Sequence, residues 1–470
     1  MTAAVTLPAD LIDRLKAALG PKGWSEDPHE VAPHVEDWRG RYKGQTPILL
    51  KPGTTDEVAA AVRLCAEAGV AITPQGGNTS LCGAATPQGE VLITLKRMTA
   101  VREVDADNDS MTVEAGCVLE NLQRTAEEAN RLFPLSLGSQ GSAMIGGLIS
   151  TNAGGVHVLR YGMTRELVLG LEAVLPDGTI WSGLTGLRKD NMGYDLKQLL
   201  IGAEGTLGII TAATLKLFPR PGRTEVAFIG LNSAADAVKF LGLAKQVSGG
   251  AVTAFELMPR MALDMVLEHV SGTRDPLETA HDWYVVCEMS FGRPDGARET
   301  MEAALERGFE AGLVQDAALA ENESQIEDFW RLRETIAEAE RAHGKAVKHD
   351  ISIPVSKMPA FIAEAAETVE AEFDNALVIA FGHVGDGNVH FNVAPRDAGG
   401  PDVLARADAV SKRVYDLVDG YGGSISAEHG IGILKREELA ARKPVDVAVM
   451  RAIKRALDPQ GIMNPRVLLG

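Results

Sequence analysis

Apolar and polar positions follow two different periods along the first part of the chain. Residues 46–72 place a short apolar strand, TPILLKP, before an Ala-rich amphipathic helix with a Thr/Asp cap, and a second strand, AITP, after it. The runs VLITL, SMTVEAGC and GLEAVLPDGT are typical of further strands. A short N-terminal helix is predicted by apolar residues at helical spacing, namely Leu11, Ile12, Leu15 and Leu19.

The pattern changes near residue 224, after a proline-containing stretch at 219–223. From there, strands such as EVAFIGL, VTAFELM and WYVVCEMS alternate with amphipathic helices. We therefore predict an α+β domain whose helices cover one face of a sheet. Near the C-terminus, a last helix in VDVAVMRAIKRALDPQGIMNP is expected to stop at Pro459 and Gly461.

Small residues gather in three loops that each follow a strand or precede a helix: 75–80, 138–155 and 202–208. Glycine lets backbone N–H groups approach a phosphate closely, and Ser, Thr and Asn add donors without adding charge. The GxGxxG fingerprint of a Rossmann dinucleotide site is absent. Any one loop could be a tight turn, but the three together favour binding of a phosphate-bearing ligand.

A histidine pair lies in an apolar hairpin, DNALVIAFGHVGDGNVHFNV. The dipeptide Asp386-Gly387 between apolar runs predicts a two-residue type I′ turn. That turn would place His383 directly opposite His390 on one face, with Cβ atoms about 4.5–5.5 Å apart. Period 2 puts Asn392 on the same face. Two imidazoles this close could share a metal ion or form a stacked cross-strand pair, and their spacing alone does not choose between the two.

A Glu-His pair follows in the segment SAEHGIG, beside glycines. Glu428 could complete a His/His/Glu set that leaves coordination positions open for a substrate, as catalytic metal sites require. His429 is the next residue, so a third histidine lies beside this potential ligand.

Three cations stand out in the acidic segment 322–350: Arg331, Arg333 and Lys348. Such side chains can clamp a carboxylate. Such residues more often pair along the helix, here with Glu334 and Glu338. From the sequence of this segment alone, that pairing is favoured over a carboxylate clamp.

Composition narrows the class of protein. Lys and Arg number 46 against 64 Asp and Glu, and this net charge of −18 argues against a nucleic-acid binder or docking on an anionic membrane. No apolar run reaches the ~18 residues of a membrane span, and the N-terminal sequence does not predict a signal peptide. We expect a reducing, cytoplasmic location because the cysteines form no CxxC pair. They are Cys65, Cys82, Cys117 and Cys287.

Several motifs resemble a known family. The loops Pro74–Thr79, Ser142–Gly155 and Gly205–Gly208 are similar to the FAD-binding domain of the vanillyl-alcohol-oxidase type. HVGDGNVHFNV, SAEHGIG and DPQGIMNP resemble the C-terminal signature of FAD-linked D-2-hydroxyacid dehydrogenases. Further matching segments are Asp37–Gly40 with Tyr42 and Gly44, and Trp330–Glu334. The resemblance extends over about residues 35–470.

The resemblance implies an α+β fold. Its parts are a two-subdomain FAD-binding domain of the vanillyl-alcohol-oxidase (p-cresol methylhydroxylase) type, an inserted α+β substrate domain, and a C-terminal helical return to the flavin. The predicted boundaries are 1–45 for an N-terminal helical segment, 46–222 for the FAD-binding domain, 223–435 for the substrate- and metal-binding domain, and 436–470 for the C-terminal segment.

The resemblance also implies oxidation of a D-2-hydroxy acid to the 2-oxo acid, with hydride moving from C2 to flavin N5. D-2-hydroxyglutarate is the expected substrate, and D-lactate, D-malate or glycolate are the alternatives. The cofactors would be FAD and a divalent metal, with zinc expected. The implied site residues are His429 as the base, His383, His390 and Glu428 as metal ligands, and Arg333, Lys348 and Asn392 as substrate contacts.

FAD is expected to be non-covalent, since Asn78 stands near the place where covalent members of the family carry a histidine. The implied FAD contacts are Pro74, Gln75, Gly76, Gly77, Asn78, Thr79, Ser80, Ser139, Gly141, Ser142, Gly146, Asn152, Gly154, Gly155, Glu204, Gly205, Ile210 and Asn464.

One departure concerns the substrate: a Thr expected one helical turn after Arg333 is Ala337, so the group that meets the distal end of the substrate stays open. The family passes electrons to electron-transfer flavoprotein, a quinone or a cytochrome, and its members are often homodimers. Other classes are a metal-dependent hydrolase with purely structural glycine loops and a non-catalytic flavin-binding subunit. A flavin absorbance band would exclude the first, and the intact metal set with His429 disfavours the second.

Overall fold

A computed structural model describes residues 7–397 and 400–470 of the chain. Residues 1–6 of the predicted N-terminal segment lie outside this description. The α-helices are α1 Ala9–Leu19, α2 Pro28–Val31, α3 Thr55–Glu67, α4 Leu119–Glu128, α5 Ile145–Thr151, α6 Val158–Tyr161, α7 Thr164–Leu167, α8 Lys197–Leu200, α9 Ala234–Val247, α10 Arg260–His269, α11 Ala297–Glu310, α12 Glu323–Glu334, α13 Ile336–His343, α14 Met358–Glu372, α15 Ala407–Gly420, α16 Arg436–Arg442 and α17 Pro444–Leu457.

The strands are β1 Trp24–Ser25, β2 Leu49–Leu50, β3 Ile72–Gln75, β4 Val91–Thr94, β5 Val101–Asp105, β6 Ser110–Glu114, β7 Arg131–Leu132, β8 Val168–Val174, β9 Ile180–Gly183, β10 Ile209–Lys216, β11 Phe218–Pro219, β12 Arg223–Leu231, β13 Val252–Pro259, β14 Trp283–Phe291, β15 Asp316–Leu319, β16 Val347–Ser352, β17 Ala376–His383 and β18 Asn388–Pro395. Short 3₁₀ turns lie at Ala32–His34, Val355–Lys357 and Val403–Arg406.

The chain divides into two compact units. The first comprises residues 7–153, 163–219 and 429–470, and the second comprises 154–162 and 220–428. The boundaries given above from the sequence stay a prediction.

The first unit contains two larger sheets. One has the order β1-β2-β4-β3, with β2, β4 and β3 parallel, and the other is antiparallel with the order β5-β6-β10-β8-β9. The predicted strand-helix-strand at 46–72 is confirmed as β2, α3 and β3. Helix α3 begins where the Thr54 hydroxyl accepts a hydrogen bond from the Glu57 N–H at 3.1 Å, which satisfies one backbone donor of the first turn.

The second unit is built on one antiparallel sheet of seven strands in the order β15-β12-β14-β13-β17-β18-β16. Along β12, Ile229 packs with α9, α11, α14 and α15, whereas Phe228 packs in a second core with α10, α12 and α13. Helices therefore cover both faces, and the prediction of one covered face is wrong. The reason is visible in the sequence VAFIGL, because a strand buried on both sides shows no polar alternation.

Two observations bear on location and redox state. Among the described residues, no helix combines the length and the apolar character needed to span a membrane. All four cysteines lie within the described part of the chain, and each is buried outside any disulfide.

Candidate active site

The hairpin that carries the histidine pair has a longer turn than the sequence predicts. Strand β17 ends at His383 and β18 begins at Asn388, and the register pairs His390 with Phe381. The prediction of a type I′ turn with His383 directly opposite His390 is therefore wrong. A type I′ turn needs a positive φ at both central residues, and of Asp386 and Gly387 only Gly387 has one, at +98°.

The shift in register is two residues, so it leaves the faces unchanged. Because side chains alternate with a period of 2, His383 still lies on the same face as His390. This face packs against α10, α12 and α13. The register places a row of polar residues across it on four adjacent strands: Glu256 on β13, His383 on β17, His390 and Asn392 on β18, and Lys348 and Asp350 on β16.

Three of the predicted residues come together as a potential ligand set. His383, His390 and Glu428 offer ligand atoms that all lie within 4.8 Å of one another. The imidazole centroids are 5.4 Å apart at an interplanar angle of 76°, and His383 Nε2 is 3.9 Å from Glu428 Oε1. Two imidazole nitrogens and one carboxylate oxygen suit a divalent transition metal that keeps open positions. The residues present therefore fit such an ion.

Glu428 reaches this position because the chain before it runs beside β16. Ser352 and Ser424 exchange backbone hydrogen bonds of 3.0 and 2.8 Å. The N–H of Glu428 itself donates to Asp350 Oδ2 at 2.9 Å. Asp350 Oδ1 accepts a second bond, from Asn388 Nδ2 at 2.8 Å. A buried aspartate thus anchors the segment that delivers the third potential ligand.

The electrostatics of the cluster favour a cation. Burial raises the pKa of Glu428; His383 opposes this rise, while Asp350 and Asp386 add to it. Burial likewise raises the pKa of Asp386 to about 6. Three carboxyl groups at one place oppose each other's ionisation. A bound divalent ion would remove that conflict.

Glu256 is a site residue that the sequence analysis missed. Its Oε1 lies 2.6 Å from His383 Nδ1, and its Oε2 lies 2.8 Å from Arg333 Nη2. Burial alone would raise the pKa of Glu256, but the neighbouring His383 and Arg333 hold it at about 2. The available signal was a single acidic residue inside the apolar strand VTAFELM, since a charge in a buried strand needs partners.

Arg333 keeps donors available for a ligand. It is 8% exposed and lies over the ring of Phe381, with Cζ 5.1 Å from the centroid. Although Nη2 is close to Glu256, its N–H groups are not directed at that oxygen. Within the described part of the chain, neither Nη2 nor Nε makes a hydrogen bond. Buried guanidinium donors without acceptors are expected where a carboxylate binds. Pairing with Glu334 or Glu338, the alternative considered above, is not observed for Arg333.

Lys348 and Asn392 share a second buried carboxylate that the sequence analysis also missed. Glu340 is 1% exposed, and its Oε2 accepts from Lys348 Nζ and, at 3.1 Å, from Asn392 Nδ2. The third cation of the segment, Arg331, is exposed and donates to the Ser271 carbonyl at 2.8 Å. Arg331 is therefore outside the cluster.

The helix that carries Arg333 breaks sooner than expected. Helix α12 ends at Glu334 and α13 begins at Ile336, so Ala337 does not lie one regular turn after Arg333. Thr335 sits at the break, where its hydroxyl donates to the Arg331 carbonyl at 2.7 Å. The geometry thus assigns neither residue to the distal end of a substrate.

In the first unit, the three glycine-rich loops meet. A Cβ on Gly77 would lie 2.1 Å from the Ser142 carbonyl oxygen, and a Cβ on Gly205 would lie 2.5 Å from Pro74 Cγ. Around Gly138, by contrast, an added Cβ would meet nothing within 4 Å. The loops therefore touch at some glycines and leave space at another, which fits a cradle for an extended cofactor.

Several implied FAD contacts use their side chains to hold the loops. Gln75 Nε2 donates to the His34 and Ala85 carbonyls at 2.8 and 3.0 Å. Asn78 has a φ of +55°, and its Nδ2 donates to the Pro33 and Glu36 carbonyls. Their backbone groups remain the parts that could meet a cofactor.

The Glu204 and Asn464 side chains, two further implied FAD contacts, are engaged in hydrogen bonds within the first unit. Both Glu204 oxygens accept backbone N–H groups, from Ile431 and Gly432 at 2.8 Å each, so this carboxylate holds the segment that follows His429. Asn464 Nδ2 donates to the Glu204 carbonyl at 2.8 Å. Gly154 and Gly155 belong to the second unit, whereas the remaining implied contacts belong to the first. These are Pro74, Gly76, Thr79, Ser80, Ser139, Gly141, Gly146, Asn152, Gly205 and Ile210, besides those described above.

His429, the predicted base, directly follows Glu428 and is partly buried. Its backbone is therefore bonded directly to that of the potential ligand Glu428.

Comparison with known proteins identifies the family. A model described as an FAD binding domain matches residues 46–183, and one described as the C-terminal domain of FAD linked oxidases matches residues 220–468. The crystal structure of p-cresol methylhydroxylase with substrate bound is similar with a TM-score of 0.76 at 17% identity, covering 98% of this chain and 96% of that one. The fold is therefore the vanillyl-alcohol-oxidase type, as predicted.

Two curated relatives narrow this class. A protein of rice (Oryza sativa subsp. indica), named probable D-2-hydroxyglutarate dehydrogenase, mitochondrial, is 40% identical over 466 residues, which is 98% of this chain and 82% of the relative. The cattle (Bos taurus) D-2-hydroxyglutarate dehydrogenase, also named mitochondrial, is 39% identical over 94% of this chain and 80% of its own length. The chain belongs to the FAD-linked D-2-hydroxyacid dehydrogenases and is an oxidoreductase that acts on CH–OH groups.

The prediction of a cytoplasmic location is wrong by this comparison, because these relatives are named mitochondrial. The physical reason is that free, buried cysteines indicate a reducing environment only, and such an environment is not peculiar to the cytoplasm.

Proposed function

We propose that this chain oxidises D-2-hydroxyglutarate to 2-oxoglutarate, with FAD and a divalent metal ion, zinc by preference, held by His383, His390 and Glu428. The observation that carries the proposal is the joining of this ligand set, through Glu256, to Arg333 with its unsatisfied N–H groups. The names of the rice and cattle relatives support the choice of substrate.

Each cofactor contributes one property when bound. FAD supplies an acceptor for the hydride that leaves C2 of the hydroxy acid. A divalent ion supplies charge that lowers the pKa of a bound hydroxyl group.

The chain's own residues bind the substrate, orient it and remove the proton of its hydroxyl group. Arg333 donates its free N–H groups to a substrate carboxylate, and a bidentate arrangement fixes the orientation of that carboxylate. Lys348 and Asn392, both held by Glu340, are the proposed contacts of the second carboxylate. His429 accepts the proton of the 2-hydroxyl group, which needs a ring that is neutral at the working pH. Loss of that proton with the hydride leaves the 2-oxo acid.

The number of carboxylate groups on the substrate distinguishes this proposal from the D-lactate and glycolate alternatives. D-2-hydroxyglutarate and D-malate carry a second carboxylate, while D-lactate and glycolate do not. Turnover with a dye acceptor should therefore favour D-2-hydroxyglutarate, and replacing Lys348 by Met should lower that preference. Equal kcat/KM for D-lactate would contradict the proposed substrate. Electron-transfer flavoprotein, a quinone or a cytochrome as acceptor, and a homodimer, stay predictions.

The base assignment has a separate test. His429→Ala should keep its FAD, and so its yellow colour, but lose turnover. His269→Ala, at an exposed position on α10, is the control and should turn over normally. Full activity of His429→Ala would contradict the role of His429.

A further inference from the structure

Glu256 lies at the β13 end of the polar row and has no assigned role. We infer that Glu256 is a positioning residue, which aims His383 Nε2 at the metal and holds Arg333 for the substrate. This inference rests on the proposed function, because it concerns how the proposed ligand and the proposed clamp are held.

The first support is burial. Glu256 is 0% exposed, in the middle of the seven-stranded sheet and in register with His383. An isolated carboxylate is unfavourable to bury, so it persists only where partners compensate. A hydrophobic residue at this position would pack without that cost. Glu256 therefore has to be explained by what it holds.

The second support is the hydrogen-bonding logic of the two contacts. Arg333 can only donate, and Glu256 Oε1 lies 2.6 Å from His383 Nδ1. Oε1 of this carboxylate is the acceptor for His383, which puts the ring proton of His383 on Nδ1, while Arg333 meets the other oxygen as an ion pair without a hydrogen bond. The lone pair of a neutral ring is then on Nε2, the nitrogen 3.9 Å from Glu428 Oε1. Metal-binding histidines are commonly oriented by a carboxylate in this way.

The third support is that a single carboxylate serves two functions. Glu256 Oε2 lies 2.8 Å from Arg333 Nη2, while Oε1 serves His383. The ligand and the clamp are thus fixed relative to each other through one side chain. A substrate that meets both the ion and Arg333 would find their separation already set.

The test is the metal affinity of Glu256→Gln, measured by competition with a chromogenic chelator, with zinc as the probe. Gln has the same shape, but its NH₂ group must face either His383 Nδ1 or Arg333. In either orientation two hydrogen-bond donors face each other, so one of the two contacts is lost. We expect zinc to bind about 10- to 100-fold more weakly than to the wild type. Glu256→Asp, which keeps the charge, should fall between the two, and it serves as the second variant if Glu256→Gln does not fold.

The chain offers a matched control on the adjacent strand. Glu288 on β14 is also buried, and its Oε1 lies 3.3 Å from His157 Nε2 and accepts from the Thr253 hydroxyl at 2.7 Å. Glu288→Gln removes a similar buried charge without touching the ligand set, so its zinc affinity should equal that of the wild type. Equal weakening in both variants would show a general loss of structure and overturn the inference.

A double-mutant cycle separates direct from remote action. If Glu256 acts through His383, then Glu256→Gln should weaken zinc binding by less than about 3-fold in a His383→Ala background. A change of that size is close to the deviation from additivity that is found for independent sites. Wild-type affinity in Glu256→Gln, or full additivity in the cycle, would overturn the role of Glu256 and leave the proposed function standing. Absence of zinc binding by the wild-type protein would instead refute the proposed metal site, and the inference with it.

Discussion

Arg333 has two roles in this account: it binds a substrate carboxylate and it pairs with the buried Glu256. Two replacements separate these roles, because Arg333→Lys keeps the positive charge and Arg333→Ala removes it. Arg333→Lys retains a cation near the buried Glu256 but loses the planar fork that can bind a carboxylate through two N–H groups. One hydrogen bond to a charged group contributes about 1.5–3 kcal/mol. Loss of one such bond to the substrate should therefore lower kcat/KM by about 10- to 150-fold, with only a small change in Tm.

Arg333→Ala should have a further effect on stability. The side chains of Arg333 and Glu256 are 9% and 1% exposed, so removing the arginine leaves a buried carboxylate without its cation. Breaking a buried pair in this way costs about 3–5 kcal/mol. For a unit of ~200 residues each kcal/mol shifts Tm by about 2–4 °C, which gives a fall of about 6–20 °C by thermal unfolding.

Arg331, two residues earlier on the same helix, is the matched control. It is exposed and donates to a backbone carbonyl, so Arg331→Lys should change kcat/KM by less than about 2-fold and leave Tm unchanged. Wild-type kcat/KM in Arg333→Lys would refute the carboxylate clamp. An unchanged Tm in Arg333→Ala would refute the buried ion pair.

Three further perturbations test other parts of the structure. Glu340→Ala removes the carboxylate that holds Lys348, so KM for D-2-hydroxyglutarate should rise about 10-fold, more than kcat falls, in steady-state assays. Gly77→Ala would place a Cβ 2.1 Å from the Ser142 carbonyl oxygen, so the loops must separate and the purified protein should contain less FAD by absorbance; wild-type FAD content would contradict this packing. Burial raises the pKa of the Cys65 thiol to about 12, so this thiol is protonated at mildly alkaline pH. Thiol reagents should label none of the four buried cysteines before denaturation and all four after it.

The hairpin shows how far sequence patterns reach in this protein. Alternation alone placed His383 and His390 on one face, and that survives because the register is displaced by an even number of residues. The exact pairing failed because a type I′ turn needs a backbone conformation that Asp386 does not adopt. Local sequence predicts a turn near Asp386 and Gly387, but β17 and β18 also pair with β13 and β16, and those contacts are not encoded in the hairpin sequence.

The buried carboxylates mark the limit of sequence reasoning. Glu256 and Glu340 lie far along the chain from His383 and Asn392, and only the completed sheet and helices bring them together. A sequence motif can include a cation such as Arg333, but it does not include Glu256, the distant carboxylate that pairs with it. The isolated acidic residue in the strand VTAFELM was the one usable sign.

We propose above that oxidation of D-2-hydroxyglutarate needs a metal ion on His383, His390 and Glu428. The most direct test is anaerobic bleaching of the flavin absorbance by D-2-hydroxyglutarate, with protein stripped by chelator and then reconstituted with zinc. We predict no bleaching in the stripped protein, recovery with zinc, and no recovery in His390→Ala that still contains FAD. Bleaching at the same rate before and after stripping would contradict the claim.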